Sequence, residues 1–332
     1  MEIMSPALFL GGTTMTREIR RDLNKANYLY GNGKRQEAFE IYDRHYSQHP
    51  ELFRRWDRIL YCWCIYYLFI DDPQDDTELM ENAERVTEII RQQDLNDAPV
   101  CVYTQTVFSV IMFLKKRDDW EYMLYWLDKL DPKLLGNNEK ESGDSRYPSK
   151  KEDYYKYLSM AYVKCGEYED CLATSLEALD TIRDFAYIGD VWHMWRIAKS
   201  LNQLGEPEEA LDYLNRVIES RQDWYILREM ADCHYKLENT SEAIRYAGQS
   251  VLADGSARSK VNLYCLIYNI LKDTDERAAL IHAKLCLALK LESGAQVPDE
   301  IEDLFIDEGD LDIGDLESEV ESYWSKWGGR DV

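Results

Sequence analysis

Residues with the chemistry for catalysis or metal binding are few and scattered in this chain. The five histidines lie far apart, except that His45 and His49 are four residues apart and so share one face of a predicted helix. Two imidazoles in this arrangement can hold a metal ion. Because no carboxylate motif accompanies them, we favour a solvated helix end over a metal site.

The eight cysteines indicate buried thiols rather than a disulfide framework or a metal site. They include no C-x-x-C pair, and their spacing is irregular. Cys62 and Cys64 are two residues apart, so on a helix their side chains point to different faces. Free thiols of this kind predict a reducing compartment. The other six are Cys101, Cys165, Cys171, Cys233, Cys265 and Cys286.

Acidic residues are abundant, but none of their spacings predicts catalysis. The segment from Asp310 to Asp315 resembles a calcium-binding loop only faintly, because its glycine and its closing acid are misplaced. The run DDPQDD, which begins at Asp71, predicts a solvated loop whose last acids favour the start of the next helix. The sequence contains no phosphate-binding loop, nucleophile elbow or zinc-protease motif. We therefore predict that the protein is not an enzyme and requires no cofactor and no metal ion.

Two stretches of equal length organise the chain between Asp190 and Gly255. Ala198 corresponds to Ala231, and Ala210 corresponds to Ala243, in each case 33 residues later. A period close to about 34 residues is typical of stacked helix pairs. The spacing therefore predicts an array of repeated units rather than a globular core.

Each stretch predicts two antiparallel helices. In the first stretch, apolar residues recur at helical spacing from Trp192 to Leu204. Gly205 is expected to end this helix, because glycine accepts the left-handed conformation at a helix C-terminus. Pro207 follows near the start of the next helix, where its missing N–H costs nothing. One such hairpin cannot bury its outer face alone, so neighbouring hairpins stack on it.

This pattern resembles the tetratricopeptide repeat (TPR) family, in which small, bulky, glycine, alanine and apolar positions follow at fixed spacing. It recurs around Gly166, where Cys171 replaces the second alanine, and around Gly33, where Asp22 stands at the family's tryptophan position. The pair from Asn262 to Leu291 matches less closely. The resemblance covers residues 17–291 and implies an all-α fold, a right-handed α-solenoid of TPR and TPR-like antiparallel helix pairs.

The resemblance and the composition together predict five segments. Residues 1–16 form a flexible N-terminal arm, and residues 17–136 form TPR-like helix pairs. Residues 137–151 form a polar loop, for which a hinge between two arrays is the alternative. Residues 152–292 form the C-terminal TPR helix pairs. Residues 293–332 form an acidic tail, either disordered or folded onto a partner surface.

The charge of the chain limits its partners. The formal net charge is −24, and Glu292 to Val332 alone contains fourteen acidic residues against two basic ones. Phosphate backbones require concentrated lysine and arginine, so nucleic acid is an unlikely main ligand. The most apolar run, Ile59–Ile70, has 12 residues and is too short to span a bilayer. With no basic, apolar leader at Met1, we expect a cytoplasmic protein.

In TPR proteins the first helix of each pair lines the concave groove, and the resemblance therefore implies a peptide-binding surface here. Aromatic and basic residues alternate along it, which suits contact area combined with attraction for carboxylates or phosphates. The alternative is ordinary half-buried positions with long side chains that reach water. The family's carboxylate clamp is not reproduced, since Leu23 occupies the clamp lysine position. The candidate peptide-binding residues are Lys156, Lys164, Trp192, Trp195, Lys199, Asn202, Tyr225, Arg228, Tyr235, Tyr264 and Tyr268.

These features support an interaction scaffold or regulatory adaptor that binds a protein or peptide segment in its groove. A second hypothesis adds regulation, with the acidic tail occupying the groove in cis or in a neighbouring molecule. A third, from another class, is a nucleic-acid-associated helical-repeat regulator of a partner enzyme. It rests on basic residues near the N-terminus: Arg17, Arg20, Arg21, Arg54, Arg55 and Arg58.

Overall fold

The computed structural model describes residues 7–92, 101–136, 140–142, 145–305 and 311–327. These residues are almost entirely helical, so the predicted all-α class is confirmed. The exception is a short antiparallel hairpin of β1 (Lys140–Ser142) and β2 (Ser145–Tyr147), in the segment predicted to be a polar loop. The helices are α1 (Ala7–Gly31), α2 (Arg35–Tyr46), α3 (Arg55–Ile65), α4 (Asp76–Ile89), α5 (Val102–Lys116), α6 (Trp120–Asp128), α7 (Lys150–Cys165), α8 (Tyr168–Thr181), α9 (Gly189–Gln203), α10 (Pro207–Ile218), α11 (Trp224–Lys236), α12 (Thr240–Leu252), α13 (Val261–Leu271), α14 (Glu276–Ser293), α15 (Asp299–Glu302) and α16 (Ile313–Trp327).

The chain divides into two compact units. The first comprises Met1–Asn138 and Ser149–Ala161, and the second comprises Glu139–Pro148 and Tyr162–Val332. Two boundaries between the units, after Asn138 and after Pro148, lie in the segment predicted to be a polar loop, and the third lies within α7.

In the first unit, α1 begins ten residues before the predicted first repeat at Arg17. The sequence from Ala7 to Gly31 contains no proline and continues as one helix, which includes residues 7–16 of the predicted N-terminal arm. Asp57, near the start of α3, is buried and holds α1 in place. It accepts hydrogen bonds from Arg20 at 2.6 Å and from Asn27 at 3.2 Å.

In the second unit, α9 and α10 form the helix pair that the sequence predicts around Gly205. Gly205 has φ +91° and follows the end of α9, and the amide of Glu206 donates to the carbonyl of Leu201 at 2.9 Å. Pro207 is the first residue of α10. Ala198 and Ala210 are both fully buried, which permits the close approach of the two helices.

The C-terminal segment is folded where the structure describes it. Gly294 ends α14 with φ +66°, α15 follows, and α16 packs against α12 and α14. Val320 and Trp324 of α16 are each only 1% exposed and belong to the core of the last helix pairs. The acidic residues Asp315, Glu319 and Glu321 remain at the surface of α16.

Two cysteines differ from the predicted free thiols. Cys265 of α13 and Cys286 of α14 form a disulfide, with their Cα atoms 5.9 Å apart. The sequence places them 21 residues apart on partner helices, but spacing alone does not reveal which cysteines meet. Among the described residues, no helix combines the length and apolarity needed to cross a membrane.

Candidate functional site

Three aromatic rings from two successive first helices form the centre of the candidate site. Trp192 and Trp195 of α9 and Tyr225 of α11 are all half-buried. The ring of Tyr225 stacks on Trp192 at 6.2 Å and meets Trp195 edge-on at 5.5 Å, and the two indoles are 6.3 Å apart. We call Trp192, Trp195 and Tyr225 the aromatic cluster. Such rings offer a large contact area with little conformational freedom to lose.

Two cations lie over the indoles of the aromatic cluster. The Arg221 guanidinium lies 5.4 Å from the Trp192 ring, and the Lys199 ammonium lies 5.4 Å from the Trp195 ring. Arg221 also pairs with Asp223 at 2.7 Å. Cation–π contacts therefore border the cluster on two sides.

Lys199 also belongs to a second set of charges. We call Lys164 at the end of α7, Lys199 on α9 and Arg228 on α11 the cationic group. Burial lowers the pKa of Lys199, and the positive charges of Arg228 and Lys164 add to the effect, while Glu229 opposes it. Burial is the main cause of this shift, and Glu229, Arg228 and Lys164 are the charged side chains that act on Lys199.

Asn202 is not part of the accessible surface that was predicted. Its side chain is fully buried and donates to Glu229 at 2.8 Å and to Asp232 at 2.7 Å. Its amide oxygen accepts from Lys236 at 2.9 Å. Asn202 therefore joins α9 to α11, and its amide nitrogen is committed to two carboxylates of α11.

Arg196 contributes positive charge that the sequence reading missed. It is 5% exposed, donates to the carbonyl of Trp192 at 3.3 Å, and has no carboxylate partner among the described residues. Burial lowers its pKa to about 10. In the sequence, Arg196 lies between the candidate groove residues Trp195 and Lys199. Helical spacing does not predict that an arginine at this position is buried.

The remaining candidates do not join the aromatic cluster. Lys156 belongs to the first unit and is exposed. Tyr264 is 4% exposed and lies against the His282 ring at 6.3 Å, so its ring is not available to a ligand. Tyr235 and Tyr268 are half-buried against the core of the last helix pairs. The structure thus brings Trp192, Trp195, Lys199 and Tyr225 into direct contact, and the charges of Lys164 and Arg228 act on Lys199.

Comparisons with known proteins support the repeat architecture. The tetratricopeptide repeat family model matches residues 194–222, which include most of α9 and all of α10. Residues 194–222 therefore form a tetratricopeptide repeat. No curated protein matches this sequence.

Solved structures similar to this chain are distant in sequence. BtubC (BKLC) from P. vanneervenii is 13% identical, with 67% of this chain and 91% of that chain covered at a TM-score of 0.40. YrrB, a TPR protein with an unusual peptide-binding site, is 15% identical, with 72% and 97% covered at 0.39. A Rap protein complexed with competence and sporulation factor is 14% identical, with 94% and 87% covered at 0.45.

The acidic tail lies away from the aromatic cluster where it is described. The Trp324 indole N–H donates to Nε2 of His282 at 2.8 Å, and the Tyr323 hydroxyl donates to Asp275 at 3.2 Å. These contacts fix α16 on α14, while its further packing is on α12. Residues 313–327 therefore cover the last helix pairs and not α9 and α11.

Several of the histidines and arginines near the N-terminus also have local partners. His45 lies 3.1 Å from Asp22, and His49 lies 3.4 Å from Glu51. Arg20 is committed to Asp57, whereas Arg17 and Arg54 are exposed. The predicted basic set is therefore smaller at the surface than in the sequence. The predicted calcium-like segment lies partly outside the described residues, which omit Asp310.

Proposed function

We propose that this protein is a non-catalytic interaction scaffold or regulatory adaptor that binds a protein segment at the aromatic cluster. The observation that carries the proposal is the meeting of Trp192, Trp195 and Tyr225 from two consecutive repeats while all three remain partly exposed. Tryptophan and tyrosine dominate the energetics of protein interfaces. Rings held by one another are also pre-organised, so that binding costs little side-chain entropy.

The alternative is that the three rings only seal the junction between α9 and α11. Trp195 and Tyr225 do pack against the buried core of these repeats. A purely structural role, however, gives no reason for two cations to border the indoles at a partly exposed surface. The proposal therefore assigns the rings both roles.

The test uses linear peptides selected from a random library for binding to the wild-type protein. We expect the double variant Trp195→Ala/Tyr225→Ala to lose about 30-fold or more in affinity, because truncating a hot-spot aromatic costs about 2 kcal/mol. The matched control is Tyr187→Ala, which removes a ring that is 69% exposed and outside the cluster. Affinities are measured by fluorescence anisotropy.

Trp192→Leu is a second variant that keeps apolar volume and so protects the fold. Circular dichroism and thermal unfolding establish that each variant remains folded. Equal affinity of the selected peptides for the wild type and for folded cluster variants would exclude this surface as the binding site.

The acidic tail is not the bound segment in this proposal. Because α16 is held on α12 and α14, residues 313–327 would have to leave that position before they could occupy the aromatic cluster, in cis or in a neighbouring molecule.

A further inference from the structure

The second helices of the last pairs present two neighbouring grooves, and α16 covers one of them. α16 lies on α12 and α14, the second helices of consecutive pairs, and buries Val320 and Trp324 there. The corresponding surface one pair earlier, between α10 and α12, contains a recess of about 540 Å³. We call it the α10–α12 recess, and its lining includes Ile218, Gln222, Leu227, Tyr246, Gln249 and Leu252.

Equivalent positions line the covered groove and the α10–α12 recess. Counted from the residue before each helix, Tyr246 of α12 is the counterpart of His282 of α14. Leu227 and Tyr264 also correspond, because each is the fourth residue of its helix. His282 is fully buried and accepts the indole hydrogen bond of Trp324, whereas Tyr246 is half-buried. The α10–α12 recess is therefore the same surface as the covered groove, one repeat earlier.

We propose that the α10–α12 recess binds an amphipathic helix of a partner protein, in the way that α16 lies on α12 and α14. A helix that binds in a groove inserts apolar side chains spaced three or four residues apart. Val320 and Trp324, four residues apart, have this role in α16. The α10–α12 recess involves second helices and so is separate from the aromatic cluster on α9 and α11. The inference goes beyond the proposed function and does not depend on it.

The lining of the recess favours an apolar and uncharged contact. Ile218, Leu227 and Leu252 supply aliphatic surface, and Leu252 is 49% exposed. Among the described residues of the lining, Arg245 alone is charged, and it pairs with Glu242. The recess therefore selects a partner by the apolar side chains that it inserts rather than by the sign of its charge.

Tyr246 and two glutamines provide rigidity and polar contacts at this site. The Tyr246 ring stacks on His234 at 5.4 Å, and the Arg245 guanidinium lies 4.1 Å from the ring centre, so two neighbours restrict its motion. The side-chain amides of Gln222 and Gln249 are exposed and have no hydrogen-bond partner among the described residues. They can pair with polar side chains at the border of a bound helix.

The inserted side chain of the partner helix is aliphatic rather than a tryptophan. Gly248 leaves space for Trp324, because a Cβ atom at this position would meet the indole. Asn215 stands at the equivalent position of α10, counted from the residue before the helix. A side chain there prevents an indole from lying flat against the helix backbone, whereas a leucine needs no such contact. This difference disfavours α16 of a second copy as the occupant.

The probes are two labelled peptides of residues 311–326 of this chain, one with the natural Trp324 and one with Trp324→Leu, both acetylated and amidated. The control peptide carries Val320→Ser and Trp324→Ser. We expect the leucine peptide to bind the full-length protein at least about tenfold more tightly than the control, which has no large apolar side chains to bury at these positions. Fluorescence anisotropy in 300 mM NaCl reports affinity with charge effects screened. Failure of the leucine peptide to bind would overturn the proposal.

Protein variants locate the bound peptide. Leu252→Gln removes aliphatic surface from the recess without a change of charge, and we expect it to weaken the leucine peptide by about fivefold or more. The matched control is Leu291→Gln, because Leu291 is 63% exposed and lies outside the recess. It should change affinity by less than about twofold. Equal affinity of the leucine peptide for the wild type and for Leu252→Gln would contradict the proposal.

Asn215→Gly tests the aliphatic character of the inserted side chain. It creates on α10 the space that Gly248 provides on α12, so it should tighten binding of the Trp324 peptide about tenfold. Asn215→Ala keeps a Cβ atom and should not, and circular dichroism establishes that both variants are folded. If the wild type binds both peptides equally at Leu252, an aliphatic anchor is refuted and α16 of a second copy becomes the occupant.

The aromatic-cluster variant separates this inference from the proposed function. Trp195→Ala/Tyr225→Ala should change the affinity of the leucine peptide by less than about twofold, because the two sites use different helices. Library peptides that bind at the aromatic cluster should in turn be insensitive to Leu252→Gln. If the leucine peptide loses affinity for the cluster variant and not for Leu252→Gln, the second site is refuted and the proposed function stands.

Discussion

At the scale of single residues, His282 shows how one buried group connects distant parts of the chain. Its side chain is fully buried, and Nε2 accepts the indole hydrogen bond of Trp324. Nδ1 therefore carries the proton and donates a hydrogen bond to the carbonyl of Ala278 at 2.7 Å. Both nitrogens of the neutral ring are satisfied, and a second proton would break the bond to Trp324.

We expect this arrangement to make stability depend on pH. Burial lowers the pKa of His282 from 6.5 to about 4, while the carbonyl of Ala278 and the charge of Asp275 oppose this shift. The rings of Tyr264 and Tyr323 lie next to the imidazole. The unfolded chain then binds the proton more readily than the folded chain. The contribution of His282 is thus present above pH 6.5 and is lost as the pH falls toward 4, up to about 3 kcal/mol.

The measurement is urea unfolding between pH 7 and pH 5, a range in which ordinary carboxylates stay ionised. His282→Gln should be less stable at pH 7 but should show a shallower loss on acidification. Burial also lowers the pKa of His193, to about 3. His193 therefore contributes part of the dependence of stability on pH that remains in this variant. An identical slope for His282→Gln and the wild type would contradict this assignment.

Residue identity and spacing predicted some of these roles and not others. Ala198 and Gly205 have local roles, in helix contact and helix termination, so their types and positions were sufficient. Asn202 was assigned to the correct helix but to the wrong role, because its partners Glu229 and Asp232 are 27 and 30 residues away. Helical periodicity indicates a face of a helix and does not indicate which polar group will be enclosed there.

At the scale of elements, α16 depends on a glycine of α12. A Cβ atom at Gly248 would lie 2.5 Å from Cε3 of Trp324, so only glycine leaves room for the indole. The sequence did not reveal this contact, because Gly248 and Trp324 are far apart along the chain. The acidic composition of the tail instead favoured disorder or folding onto a partner, and the apolar stripe through Val320 and Trp324 outweighed it.

We expect Gly248→Ala to destabilise the second unit and to loosen α16. Alanine within a helix normally stabilises by about 1 kcal/mol relative to glycine, so a lowered Tm would isolate the steric conflict with Trp324. Gly31→Ala is the control, because a Cβ there meets nothing within 4 Å. Hydrogen exchange of α16 amides should accelerate in Gly248→Ala only. A Tm at or above that of the wild type, with unchanged hydrogen exchange in α16, would show that the Trp324 indole can move aside without loss of stability.

At the scale of the whole molecule, the dominant feature is excess negative charge. The chain has 63 acidic residues and 39 basic ones, and its pI is near 4.6. Like charges repel one another more strongly in the compact state than in the expanded one. The composition could be read directly from the sequence, but the pairing of individual charges, such as Arg20 with Asp57, required the packing of α1 on α3.

We therefore expect added salt to stabilise the protein. Raising NaCl from 20 to 300 mM shortens the Debye length from about 20 Å to below about 8 Å and should raise Tm by a few degrees. Replacing Asp299, Glu300, Glu302 and Asp303 by the corresponding amides should raise Tm at low salt. The further increase in Tm on addition of NaCl should then be smaller than in the wild type. A Tm that falls as NaCl increases would mean that ion pairs outweigh the repulsion.

The π-helical turn that extends α3 has a consequence for how the chain can be compared with others. Residues Tyr66–Ile70 form this turn, and the amide of Asp71 donates to the carbonyl of Tyr66 at 2.9 Å, five residues earlier. Such a turn accommodates one additional residue without interrupting the helix. Each residue of an α-helix advances by about 100° around the helix axis. One additional residue therefore shifts the face on which every later side chain lies, relative to the spacing before the turn. Methods that align repeats by fixed spacing lose their register at Tyr66, and ancestry between the helix pairs of the first unit is better traced by superposing backbones.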